Sequence, residues 1–94
     1  MEFEWEPPKA ASNQKKHGIS FVAATAIFDD PHVITEDSTK PEYGEMRRIA
    51  IGKLQDGRLA TVVYTDRGQF RRIISVRTAR DKERAKYGQG KATP

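Results

Sequence analysis

The chain has 94 residues, enough for one small domain with a thin hydrophobic core. Hydrophobic residues make up 36% of it and charged residues 32%, which is typical of folded soluble proteins rather than of disordered or membrane proteins. The absence of cysteine excludes disulfides, cysteine-bound zinc and thiol catalysis. No apolar run approaches the ~20 residues needed to cross a bilayer. The acidic N-terminus lacks the regions of a signal peptide, so we expect a cytoplasmic protein without membrane attachment.

Charge is distributed unevenly along the chain. Residues 1–40 carry four lysines, no arginine and seven acids, whereas residues 41–94 carry thirteen lysines and arginines and six acids. All arginines lie between Arg47 and Arg84. Because guanidinium groups suit bidentate phosphate contacts, the basic half favours an anionic partner, with nucleic acid the leading candidate. A solvated sheet face with many ion pairs is the alternative, and charge alone does not decide between them.

The first half of the chain predicts a short strand followed by two helices. Phe3 and Trp5 alternate with acids and indicate the strand. A helix is expected over residues 8–17, ended by Gly18, and a second helix begins after Ser20 as N-cap. Residues 32–35 form a strand candidate, and residues 36–45 a polar loop.

The second half predicts three strands and a helix. The β-rich runs cover residues 46–54, 58–65 and 69–78, with tight turns at Asp56-Gly57 and around Gly68. Thr78 is the expected N-cap of a last helix with Asp81 as capping partner, and Gly88 its expected end. We therefore predict one domain over residues 1–87, a flexible tail over 88–94, and an α+β fold in which helices cover one face of an antiparallel sheet of about four strands.

Strict alternation in the last strand would separate two faces. It places Arg71, Ile73, Ser75 and Arg77 on the open face and Arg72 on the helix-covered face. Two guanidiniums at strand spacing suit a ribose-phosphate backbone. Cross-strand pairing with Glu45 or Asp66 is an equally ordinary explanation.

The titratable residues give little support to metal or cofactor chemistry. The two histidines, His17 and His32, lie far apart without a metal-binding pattern, and Asp29-Asp30 is explained by a helix stop. We expect no metal and no cofactor. Metal-independent RNA cleavage needs cations for the phosphate, a base and an acid. Arginines supply the cations, and five side chains are candidates for proton transfer: His17, Lys16, Asp66, Glu83 and Tyr87.

Specific strings then indicate a family. The chain resembles BrnT-type toxins from Glu4 to Tyr87, and its most specific blocks are Lys16-His17-Gly18-Ile19-Ser20-Phe21 and Arg72-Ile73-Ile74-Ser75-Val76-Arg77. Two departures are small, because Glu6 stands where the family usually has Asp and Val76 where Ala is usual. The other matching segments are Trp5-Glu6-Pro7-Pro8-Lys9, Asn13, Ala24, Phe28-x-Asp30-Pro31, Glu45-Met46-Arg47, Ile51-Gly52, Thr65-x-Arg67-Gly68, Ala79 and Glu83-Arg84-x-x-Tyr87.

This resemblance implies a RelE-like fold, RNA cleavage that arrests translation, and a cognate antitoxin. The antitoxin is expected to be BrnA-like, of ribbon–helix–helix type, to form a hetero-tetramer with the toxin, and to carry any binding to operator DNA. We place catalysis at Arg67, Arg77, Glu83, Tyr87 and His17. Substrate binding is expected at Arg47, Arg71, Arg72 and Arg84.

Two hypotheses of different classes follow from the sequence. The first is a metal-independent endoribonuclease toxin. The second is a non-catalytic basic module that binds an antitoxin-like protein or nucleic acid. A small downstream reading frame with a ribbon–helix–helix pattern would favour the first.

Overall fold

A computed structural model describes residues 1–92 and shows a five-stranded sheet in the order β1-β5-β4-β3-β2. β1 runs parallel to β5, and every other neighbouring pair of strands is antiparallel. No helix in this part of the chain is long and apolar enough to cross a membrane. The elements are β1 (Glu2–Glu4), α1 (Pro7–His17), α2 (Phe21–Ala24) with a 3-10 helix (Thr25–Asp29), β2 (Ile34–Asp37), a 3-10 helix (Pro41–Tyr43), β3 (Arg48–Lys53), β4 (Leu59–Arg67), β5 (Phe70–Thr78) and α3 (Asp81–Ala92).

The local signals around α1 and α2 act as predicted. Gly18 has φ 71° and ends α1, with its N–H donating to the Gln14 carbonyl at 2.8 Å. The left-handed backbone there favours glycine. The Ser20 hydroxyl accepts from the Ala23 N–H at 3.0 Å and caps α2.

The α+β class is confirmed, and the sheet has one strand more than predicted. All five strand candidates of the sequence join the sheet, and β1 departs from the predicted antiparallel arrangement because it pairs with β5 in parallel. Helices also cover both faces. Ala50 is buried in the cluster beneath α2, whereas its neighbour Ile51 packs against Ala79 and Tyr87 of the α3 region. Since successive strand residues point to opposite faces, the sheet has an α1 face and an α3 face.

The last helix begins and ends later than predicted. Thr78 is still the last residue of β5, and the helix begins at Asp81. The capping acid is Glu83, which accepts from the Arg80 N–H at 2.8 Å, so the expected pair of Thr78 and Asp81 is wrong by two residues. The helix continues to Ala92 through most of the predicted tail 88–94, of which residues 93–94 lie outside the described part.

A β-bulge in β5 reverses half of the predicted alternation. Val63 pairs with Ser75 but the next residue, Tyr64, pairs with Ile73, so Ile74 is an extra residue in β5. Arg71 and Ile73 therefore share the α1 face with Val76. The placement of Arg71 and Ile73 on the open face was wrong, since strict alternation does not hold across a bulge.

Arg72, Ser75 and Arg77 accordingly share the α3 face of the sheet. Arg71 lies on the other side, where its guanidinium carbon is 4.8 Å from the Phe28 ring centroid and 4.6 Å from that of Tyr64. The bulge therefore places on one face the two arginines, Arg72 and Arg77, that alternation alone would put on opposite faces.

Candidate nucleic-acid interface

A cleft of about 210 Å³ opens where the start of α1, the 3-10 helix Pro41–Tyr43 and strands β4 and β5 meet. We call it the basic cleft. Four cationic side chains line it, from α1, from the residue before β3, and from β4 and β5. Its lining residues are Glu6, Lys9, Tyr43, Glu45, Arg47, Arg67, Arg72, Ile73 and Ile74.

Glu45 orients two of the guanidiniums. It accepts from Arg67 Nη2 at 2.8 Å and from Arg47 Nε at 3.3 Å. These contacts, that with Arg67 above all, lower the pKa of the Glu45 carboxyl. The carboxylate therefore stays ionised near neutral pH and holds both arginines towards one point.

Arg72 is held by acids from the N-terminal segment. Its Nε lies 3.5 Å from Glu4 Oε1, and its Nη1 lies 3.3 Å from Glu6 Oε1. Glu4 reaches Arg72 because β1 pairs with β5 in the register Glu4↔Arg72. The acidic start of the chain thus fixes the position of a cation in the cleft.

The accessibility of the arginines differs. The Arg67 side chain is 51% exposed, whereas Arg47 lies with its guanidinium carbon 4.0 Å from the centroid of the Tyr43 ring and is 24% exposed. Exposed ion pairs contribute little to stability, so an incoming phosphate can replace Glu45 as the partner of Arg67. A stacked guanidinium such as that of Arg47 offers a flat surface to a base.

Arg77 and Glu83 form a separate, tighter pair. Arg77 Nη1 and Nη2 lie 2.7 and 2.8 Å from the two Glu83 carboxylate oxygens, and Thr61 Oγ1 donates to Glu83 at 2.9 Å. The hydrogen bonds from Arg77, then those from Arg80 N–H and Thr61, lower the pKa of Glu83 to about 2 despite partial burial. A carboxylate with so low a pKa is a weak base, so this pair is suited to orientation rather than to proton abstraction.

Tyr87 serves to anchor α3. It is 3% exposed, and its hydroxyl donates to Asp30 Oδ2 at 2.7 Å. Burial, followed by the bond to Asp30, raises the pKa of Tyr87 to about 12. Arg84 lies exposed on the same helix.

A second cleft, of about 520 Å³, lies beside the basic cleft between α1 and β5. We call it the α1 cleft. Lys9 and Ile74 line both clefts, so the two form one continuous surface. The α1 cleft is lined by Pro8, Lys9, Ser12, Asn13, Lys16, His17, Ile74 and Ser75.

The structure brings some of the predicted site residues together and separates others. Arg47, Arg67 and Arg72 line the basic cleft, and His17 lines the α1 cleft beside it. Arg71 is on the opposite face, bonded to Asp66 at 2.8 and 3.0 Å, as the cross-strand alternative proposed. Sequence reasoning missed Lys9 as a site residue. Its proximity to Arg72 depends on the parallel pairing of β1 with β5, for which the sequence carries no local signal.

Within residues 1–92, no group of three or more histidine, aspartate or glutamate side chains is arranged to hold a metal ion.

Fold and site together define a small α+β protein with an arginine-lined cleft. Residues 5–83 match the profile of a family described as the ribonuclease toxin, BrnT, of type II toxin–antitoxin systems. The match spans most of the sequence, and the chain belongs to the BrnT family of ribonuclease toxins. Such a type II family implies a protein antitoxin as partner.

A solved structure supports this assignment. The 1.1 Å crystal structure of the Brucella abortus ribonuclease toxin BrnT is similar, with a TM-score of 0.65 and 26% sequence identity. The alignment covers 86% of this chain and 99% of the Brucella chain. A comparison with curated protein sequences found no match.

Proposed function

We propose that this protein is an endoribonuclease toxin that cleaves RNA in the basic cleft without a metal ion. The observation that carries the proposal is the convergence of Lys9, Arg47, Arg67 and Arg72 on one cleft of about 210 Å³. Preorganised cations of this kind stabilise the charge that develops on a phosphate during cleavage.

The reaction uses the RNA's own nucleophile. The 2′-hydroxyl oxygen forms a bond to the adjacent phosphorus while the bond from phosphorus to the 5′ oxygen breaks. A base takes the proton of the 2′-hydroxyl, and an acid protonates the departing 5′ oxygen. The products are a 2′,3′-cyclic phosphate and a 5′-hydroxyl, and the cationic side chains stabilise the intervening phosphorane.

We keep His17 as a hypothesis for proton transfer, although it lines the α1 cleft and not the basic cleft. Of the five side chains considered from the sequence, only Lys16 and His17 line the continuous surface. Histidine is the side chain that most often serves in general acid–base catalysis. We propose structural roles for two of the others: Glu83 orients Arg77, and Tyr87 anchors α3.

In the cell, the proposed activity would act in the cytoplasm, where RNA cleavage arrests translation. A BrnA-like antitoxin of ribbon–helix–helix type would neutralise it, as a hetero-tetramer that contacts operator DNA only through the antitoxin. The basic cleft supports this pairing, because an acidic antitoxin segment can compete there with RNA.

Arg67→Ala tests the cleft, with Arg58→Ala as a matched control. Both arginines are 51% exposed and each pairs with a carboxylate, but Arg58 pairs with Asp56 in the turn between β3 and β4 and lies outside the basic cleft. We expect Arg67→Ala to slow RNA cleavage by purified protein in EDTA by about 100-fold, since one charged contact to the transition state is lost. Arg58→Ala should cleave as wild type does. Equal cleavage rates for the two variants would show that the basic cleft takes no part in the reaction.

A further inference from the structure

We infer that the α1 cleft binds the nucleotides flanking those in the basic cleft, with Lys16 contacting a phosphate of the same RNA strand. The inference rests on the proposed ribonuclease function and extends its substrate from a single phosphate to a longer single strand. It is drawn from the charge, spacing and continuity of the α1 cleft.

The charge of the α1 cleft is uncompensated. None of the described residues that line it carries a carboxylate, whereas two glutamates line the basic cleft. The side chains of Lys9 and Lys16 form no hydrogen bond or ion pair with any side chain among residues 1–89. Uncompensated lysines on a concave surface attract a polyanion, and they lose no existing partner when it binds.

The polar groups of α1 follow one stripe along the helix. Lys9, Ser12 and Lys16 are three and seven residues apart, so they lie on one face of α1. Seven residues correspond to about 10 Å of helix. A stacked strand advances about 3.4 Å per nucleotide, so this stripe spans roughly three nucleotides.

The opposite wall is rigid and partly apolar. Asn13 donates to the Val76 carbonyl at 2.8 Å and accepts from the Val76 N–H at 3.2 Å, which fixes α1 against β5. The bulge places Ile74 and Ser75 in this wall. An apolar side chain beside a hydroxyl suits contact with both the bases and the sugar-phosphate backbone of a single strand.

Continuity with the basic cleft favours RNA as the occupant. Lys9 and Ile74 belong to both clefts, so a strand held by Arg67 and Arg72 needs no gap to continue along α1.

The test measures the binding of two uncleavable RNAs, a trinucleotide and a decanucleotide with 2′-O-methyl groups, by fluorescence anisotropy. The variant is Lys16→Ala, and the control is Lys15→Ala, the preceding exposed lysine, which lines neither cleft. We expect Lys16→Ala to weaken decanucleotide binding several-fold, to reduce the salt slope of log K by about 0.7, and to leave the trinucleotide unaffected. Lys15→Ala should match wild type with both RNAs.

Arg67→Ala separates this inference from the function on which it rests. If Arg67→Ala weakens both RNAs while Lys16→Ala and Lys15→Ala behave alike, the extended site is refuted and the basic cleft stands. If Arg67→Ala binds both RNAs as wild type does, both the proposed function and the extended site are refuted. Loss of affinity for the antitoxin but not for the decanucleotide in Lys16→Ala would assign the α1 cleft to the antitoxin and overturn the inference.

Discussion

The carboxylate of Glu83 accepts hydrogen bonds from several elements of the fold. Four donors surround it: two from Arg77, the hydroxyl of Thr61 and the N–H of Arg80, all within 2.9 Å. The Glu83 side chain is only 14% exposed, so solvent screens these contacts weakly. The pair therefore joins β4, β5 and the start of α3.

We predict that Glu83→Gln destabilises the protein in a pH-dependent way. The folded pKa of about 2 lies below the ordinary value of 4.5, so the ionised carboxylate favours the folded state. This stabilisation, about 3 kcal/mol, is fully present above pH 4.5 and is lost as the pH falls towards 2. Urea unfolding from pH 7 to pH 2 should show the difference between wild type and Glu83→Gln shrinking over that range.

Glu36→Gln provides the control for this measurement. Glu36 pairs with Lys86 at 2.9 Å, but the two side chains are 36% and 52% exposed. Such surface pairs contribute little, so we expect a change below about 1 kcal/mol. An effect equal to that of Glu83→Gln would show that the partly buried network around Glu83 stabilises the fold no more than a surface ion pair does.

Strand β5 is the element on which both clefts depend. Its bulge at Ile74 turns Arg72 and Arg77 to one face and exposes Ile74 to the basic cleft and the α1 cleft alike. Beyond Arg72 no strand within residues 1–92 pairs with the outer edge of β5, because β1 ends at Glu4. Asn13 covers this edge, and its amide takes the place of a neighbouring strand for Val76.

Local sequence signals predicted the elements but not their assembly. Gly18 and Ser20 mark the end of α1 and the start of α2 because their effects act on the nearest turn of backbone. The bulge at Ile74 has no comparable signal, since it depends on register with β4. The resemblance to BrnT toxins included Asn13, but nothing in the sequence indicated that its partner is Val76, 63 residues away.

We predict that Asn13→Ala destabilises the protein by roughly 2–4 kcal/mol. The substitution leaves both the N–H and the carbonyl of Val76 without their side-chain partner in a buried setting. Chemical denaturation measures the change. Gln14→Ala is the control, because Gln14 is the adjacent exposed amide and alanine is a good helix former. If Asn13→Ala is no less stable than Gln14→Ala, the edge of β5 is held by other contacts.

At the scale of the whole molecule, the acidic start of the chain meets the basic strands. Glu4 and Glu6 lie against Arg72, and within the basic half Glu45 lies between Arg47 and Arg67. The two explanations of the charge distribution, ion pairs or an anionic partner, therefore describe the same arginines. Carboxylates orient the guanidiniums of the basic cleft, and RNA phosphates are their proposed alternative partners.

The uneven charge of the two halves could be read from the sequence, but the position of the site could not. Parallel pairing of β1 with β5 brings Lys9 beside Arg72. Because the two residues lie far apart in the sequence, no periodic pattern of residues indicates that they are neighbours. Arg84 and the predicted roles of Arg77 and His17 stay predictions that variants can test.

The most direct measurement compares one RNA oligonucleotide with its all-deoxy counterpart, each incubated with excess purified protein in EDTA. We predict that both strands bind with similar affinity, since the cations contact phosphates. Only the ribose strand should be cut, yielding a 2′,3′-cyclic phosphate and a 5′-hydroxyl. Binding of both strands without cleavage of either would contradict the account and establish instead a non-catalytic basic binding module.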